Sequence, residues 1–161
     1  MIRTMVPGDI EQVVALCRRL HQRSRYGRFK PHWPTVLQTI TKAATSPAGR
    51  VIVAEHDGKI TGLIIAVVQE FWWAEPKAGP RVVSDLLFYS QRIGDGEQMM
   101  KAMVEWAWSV PRVVRVEIGV SSGIKTERTE SFYRSMGFDY MGPMFEAEHP
   151  KLKEKPQCLA S

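Results

Sequence analysis

Cysteine is scarce in this chain. Its two copies, Cys17 and Cys158, stand far apart, one in a predicted helix and one in a polar tail. That placement argues against a disulfide-built fold. Long apolar runs are absent too, and none would cross a bilayer. Residues 1–7 lack the apolar core of a secretory signal, so a cytoplasmic protein without a membrane partner is expected. The four histidines, His21, His32, His56 and His149, show no paired ligand spacing, and no metal site is expected. There is no internal repeat and no low-complexity segment.

The 161 residues suggest one domain with a sizeable core. A hydrophobic share of 44% beside 24% charged residues places it among soluble globular chains. Residues 1–149 are assigned to the domain. Residues 150–161, which include Pro156, read as a loose polar tail. The formal net charge is +5, and much of the excess lies in residues 18–30, interleaved with Tyr26 and Phe29. Such clusters can contact nucleic acid. No helix-turn-helix, zinc or RNA-recognition pattern accompanies this one. A basic lip around an anionic ligand is the other reading, and nucleic acid is not the expected partner.

Periodicity orders the elements. A short strand at residues 2–5 precedes a helix near residues 8–23, where Ile10, Val13, Val14, Cys17 and Leu20 fall at helical spacing. A loop covers residues 26–33, and a second helix runs from Pro34 to about residue 46. Residues 51–55 and 59–69 form a hairpin around Asp57-Gly58. The second of these strands is almost continuously apolar, as a central strand covered on both faces would be. A loop rich in aromatics, residues 71–80, is either a flap over the core or a lip for a substrate. Strands at 82–89 and 113–120 flank a helix ending near residue 109. A last helix over 126–136 leads into short strands at 138–140 and 144–148. The fold class is therefore α/β with a mixed sheet.

Two segments carry the chemistry. Residues 82–89 are rich in branched and aromatic side chains, and Gln91-Arg92-Ile93-Gly94-Asp95-Gly96 follows, opening a helix. A strand, a glycine turn and a helix start gather unpaired N–H groups at the positive end of a helix dipole, which suits phosphate. The carboxylates of Asp95 and Glu97 compete for the same donors. The second segment, Phe132-Tyr133-Arg134-Ser135-Met136-Gly137-Phe138, places a phenol near a helix end.

In this order the segments resemble those of the GCN5-related N-acetyltransferases. Gln91, Gly94 and Gly96 match that family's pyrophosphate loop, Gln/Arg-x-x-Gly-x-Gly/Ala. Tyr133, Gly137 and Phe138 match its Tyr-x-x-x-Gly-Phe. Residues 113–138 look especially like acetyltransferases of phage and prophage origin. The likeness covers residues 2 to 146. Two departures stand out: the Tyr89–Arg92 connection is shorter than usual, and Thr126 stands where the family often has Asn.

The resemblance implies a mostly antiparallel central sheet flanked by about four helices, with splayed fourth and fifth strands. It also implies acetyl transfer from acetyl-CoA to a primary amine on a small molecule or peptide, by direct attack in a ternary complex, and a homodimer. It assigns cofactor contacts to Leu87, Phe88, Tyr89, Gln91, Arg92, Ile93, Gly94, Asp95, Gly96, Thr126 and Thr129. Acceptor contacts fall to Tyr26, Trp33, Trp72, Trp73, Ser121 and Ser122. Tyr133 is the acid for the leaving thiolate, or else packs the last helix on the sheet. Asp85 is the base, or else pairs with Arg81 or Arg115; Glu117 is a weaker alternative base. The competing function is a nonenzymatic module that keeps the fold and contacts nucleic acid or a protein through residues 18–30.

Overall fold

A computed structural model of the chain describes residues 1–142. The elements run β1 (Ile2–Thr4), α1 (Ile10–Arg23), α2 (Trp33–Thr45), β2 (Gly49–His56), β3 (Lys59–Glu70), β4 (Arg81–Ser90), α3 (Asp95–Ser109), β5 (Val113–Glu117) and α4 (Thr126–Ser135). Short 3-10 turns at Pro7–Asp9 and Arg25–Arg28 flank α1. The strands lie in sequence order across one sheet. β1 to β4 pair antiparallel, and β5 joins β4 in parallel.

Both faces of the sheet are apolar because β2 and β3 carry apolar residues at odd and even positions alike. Val51, Val53, Leu63 and Ile65 pack under α1 and α2 with Val13, Leu16 and Ile40. Ile52, Ala54, Ile64 and Ala66 face α3 and α4, where Met99, Met100, Met103, Trp106 and Tyr133 are buried. Burial of each such side chain contributes roughly 1.5–3 kcal/mol before conformational entropy is counted. Gly62 lets α3 press on β3: a Cβ there would lie 2.7 Å from Met99 Cε and 3.2 Å from the Tyr89 carbonyl oxygen. The Asp57-Gly58 hairpin forms as its sequence predicts, with φ of 51° and 74°.

A polar clamp joins the first strand to the first helix. Arg3 donates to both carboxylate oxygens of Asp9, at 2.6 and 2.8 Å, and to Glu55 at 2.7 Å. The Val6 N–H also donates to Asp9, at 2.8 Å. Asp9 is 6% exposed, and the Arg3 guanidinium holds its carboxyl below the ordinary carboxylate range. This buried acid is thus fully partnered.

Some expectations are corrected. β5 stops at Glu117 rather than continuing to residue 120, because β4 leaves it there and a strand without a ladder partner is not sustained. Residues 138–140 form no strand; Phe138 instead packs its ring 6.1 Å from that of Tyr133. The strand expected at 144–148 lies outside the described residues. The aromatic loop is no core flap: Trp72 and Trp73 are 82% and 71% exposed and stack on each other at 4.1 Å.

Candidate active site

The site begins where two parallel strands part. β5 pairs with β4 only along Arg81–Ser84. Beyond Ser84 the β5-facing side of β4 has no strand partner among the described residues, although β4 continues to Ser90. At the same point β4 bulges: Asp85 pairs with Ala66 and Leu87 with Ile65, so Leu86 is the extra residue. A bulge re-aims the side chains that follow it. Here it puts Phe88, paired with Ile64, on the α3–α4 face, where its ring lies 6.3 Å from that of Tyr133.

Asp85 stands at this fork. Its Oδ1 accepts the Gly119 N–H at 3.1 Å. The alternative, an ion pair with Arg81 or Arg115, does not form: Arg81 pairs with Glu70 and Arg115 with Glu117. Burial pushes the Asp85 carboxyl up to about 6, against the lowering effect of the Gly119 N–H. Tyr133 is 8% exposed. Burial first, and the Asp85 charge second, hold its phenol far above the ordinary range, so it is protonated at neutral pH.

The glycine turn lies at the other end of the unpaired stretch. Gly94 caps α3 at φ 90°, a conformation that favours glycine, and no side chain caps the helix. Thr61 anchors the loop at both ends. Its carbonyl accepts the Gln91 N–H at 2.9 Å, and its hydroxyl donates to Asp95 at 3.1 Å. His56 Nε2 meets the same carboxylate at 2.9 and 3.0 Å. Asp95 therefore turns into the protein, 5% exposed, and does not compete for the N–H groups at the helix start. Glu97 is held by Lys101 at 2.6 Å.

These parts line one cleft of about 970 Å³. It brings together Asp85, Leu87, Phe88, Tyr89, Gln91, Arg92, Ile93, Gly94, Gly96, Thr129 and Tyr133, with Tyr26, Trp33, Ser121 and Ser122. Thr126 and the Asp95 side chain do not line it, and neither do Trp72 and Trp73. The tryptophans sit on the β3–β4 loop, at the opposite end of β4. The Arg25 N–H donates to the Ser122 carbonyl at 2.9 Å and joins the α1 and β5 sides of the cleft.

Other lining residues carried no sequence motif. Lys125, the N-cap of α4, and Arg128 in its first turn add positive charge to the cleft that Arg92 also lines, and Arg23 adds more from α1. The i, i+3 spacing of Lys125 and Arg128 at a helix start was a readable signal. Lys125 sits in the left-handed region at φ 46°. Cys17 also lines the cleft; burial pushes its thiol up to about 11, so it stays protonated.

No protein-family model and no curated protein sequence matches the chain. Solved structures do. A tetramutant of the BH1408 protein from Bacillus halodurans superposes with TM-score 0.72 at 19% identity, over 92% of this chain and 99% of that one. The acetyltransferase Tb11.01.2886 of Trypanosoma brucei gives 0.67 at 17%, over 92% and 99%. AAC(6')-Iy, solved with the bisubstrate analogue CoA-S-monomethyl-acetylneamine, gives 0.69 at 14%, over 92% and 97%. At these identities the likeness establishes architecture. The chain has the acyl-CoA N-acyltransferase fold seen in GCN5-related acetyltransferases, a five-stranded mixed sheet between helices with its last two described strands parallel and parting.

Proposed function

We propose that this protein is an acyl-CoA-dependent N-acyltransferase that moves an acetyl group from acetyl-CoA to a primary amine. The observation that carries the proposal is the fork. The unpaired side of β4, an anion-ready helix start, a protonated phenol and a carboxyl of raised pKa share one cleft. AAC(6')-Iy, a structure with the same architecture, was solved with a coenzyme A derivative.

The residues present fit a thioester of coenzyme A. The free N–H groups at the start of α3 and the side chains of Arg92, Lys125 and Arg128 suit its phosphates. Acetyl-CoA supplies the activated thioester. The backbone N–H of Phe88, turned to the β5 side by strand alternation from the Gln91–Thr61 bond, is the donor for the carbonyl oxygen as it becomes negative. Asp85 takes the proton that the amine must lose before or during attack. As the new C–N bond forms and the C–S bond breaks, Tyr133 gives its proton to the departing thiolate. The cleft holds both reactants in one place, a contribution of several kcal/mol. Tyr26, Trp33, Ser121 and Ser122 form the acceptor end. A cytoplasmic setting and descent from a phage-type branch remain part of the proposal, supported by the sequence alone.

Acetyl-CoA at about 100 times its dissociation constant should stabilise the protein by roughly 2.7 kcal/mol. In a domain of this size that raises the melting temperature by about 5–10 °C. Free adenine should give no shift. No shift at millimolar acetyl-CoA would remove the enzyme from consideration. Salt-sensitive binding to DNA in its absence would favour the nonenzymatic module.

A further inference from the structure

The walls of the cleft narrow the acceptor, provided the protein is the N-acyltransferase proposed above. Its α1–α2 end is built from rings. Trp33 meets the His21 ring edge-on at 6.1 Å and lies beneath the Arg18 guanidinium at 5.0 Å, so its plane is held from two sides. Tyr26 stands on a tight turn: its N–H donates to Ser24 Oγ at 3.2 Å, and its carbonyl accepts the Phe29 N–H at 2.9 Å. The adjacent Arg25–Ser122 backbone bond fastens this turn to the far wall.

Carboxylates are scarce among the described residues of the same cleft. Among its described lining residues the acidic side chains are Asp85 and Glu97, and Lys101 already holds Glu97. On the acceptor side Arg23 adds a positive charge from α1, while Arg92, Lys125 and Arg128 are the groups assigned above to the phosphates of coenzyme A. A polycationic acceptor brings several ammonium groups into this space. One would meet Asp85. The rest would lose water against rings or lie near Arg23, and uncompensated buried charge is costly.

We propose that the natural acceptor is a primary monoamine with an aromatic or extended apolar body. Its nitrogen lies at Asp85 and its body lies against Trp33 and Tyr26. Polyamines and aminoglycosides are poor acceptors by the same chemistry.

The test is thiol release from acetyl-CoA with phenethylamine, spermidine and kanamycin as acceptors. Phenethylamine should have a kcat/KM about tenfold or more above the other two. Trp33→Ala should lower that value by about 10–100-fold, the scale of a lost apolar wall, with the KM for acetyl-CoA unchanged. Tyr26→Ala, at a residue 42% exposed, should move in the same direction and covers the case that Trp33→Ala fails to fold. Arg23→Glu should narrow the gap by improving the polyamines. Turnover of kanamycin or spermidine equal to that of phenethylamine overturns the acceptor class and leaves acyl transfer standing. Calorimetry showing no binding of acetyl-CoA overturns both.

Discussion

Asp85 bridges the fork between β4 and β5: its Oδ1 accepts the Gly119 N–H at 3.1 Å, just past the last paired residues, Ser84 and Glu117. One carboxylate thus takes the place of a lost ladder bond and faces the cleft. Asp85→Asn keeps an acceptor for Gly119 and removes the base. Turnover should fall by about 10²–10⁴, and the acidic limb of the pH–rate profile, near pH 6, should disappear.

Stability should move the other way in that variant. The folded-state pKa of Asp85 is raised from 3.8 to about 6, so the folded protein binds more protons than the unfolded chain between those values. Its contribution is therefore fully present below about pH 4 and is lost as pH rises through about 6. Each unit corresponds to about 1.4 kcal/mol. Asp85→Asn should melt higher than the parent at pH 8 and show no such advantage at pH 4. Equal melting temperatures at both pH values would contradict the burial assigned to this carboxyl.

Tyr133→Phe keeps the ring that packs against Phe88, Phe132 and Phe138 and removes the hydroxyl. Turnover should fall by about 10²–10⁴ with acetyl-CoA affinity nearly unchanged, because the lost interaction belongs to the transition state. Melting temperature and turnover should be measured on one preparation. A loss of activity no larger than the loss of folded protein would reduce Tyr133 to a packing residue, and full activity would leave water as the proton donor.

Asp95 and Thr61 hold the glycine turn from behind. Asp95→Ala leaves His56 and the Thr61 hydroxyl without this acceptor, a destabilisation of about 1–3 kcal/mol. With the helix start less well placed, acetyl-CoA should bind about tenfold more weakly by calorimetry, while the acceptor KM changes little. Unchanged cofactor affinity would show that the loop keeps its shape without this anchor.

The exposed Trp72–Trp73 stack predicts a homodimer. Light scattering at micromolar concentration should give twice the 18.3 kDa chain mass, and Trp72→Ser should return it to one. A single-chain mass for the parent protein would rule the dimer out.

Local chemistry made most of the elements legible. The helical spacing from Ile10 to Leu20, the Asp57-Gly58 turn, the apolar run of β3 and the glycine pair before α3 each follow from interactions between near neighbours. So does the α/β order, and with it the placement of a phenol on the last helix and of a glycine turn between a strand and the helix that follows it.

Three things were decided only by the folded chain. The bulge at Leu86 depends on which β3 residues β4 meets, and strand register is a contact between distant segments. The inward turn of Asp95 depends on His56, 39 residues away; in sequence, that acid looked like a competitor for phosphate. Trp72 and Trp73 read equally well as core flap or substrate lip, because an aromatic run records apolar area but no direction. Sequence determined which chemical groups this protein carries and the elements that bear them. Tertiary structure decided which groups meet in the cleft, because long-range pairing and burial set both their positions and the pKa of Asp85.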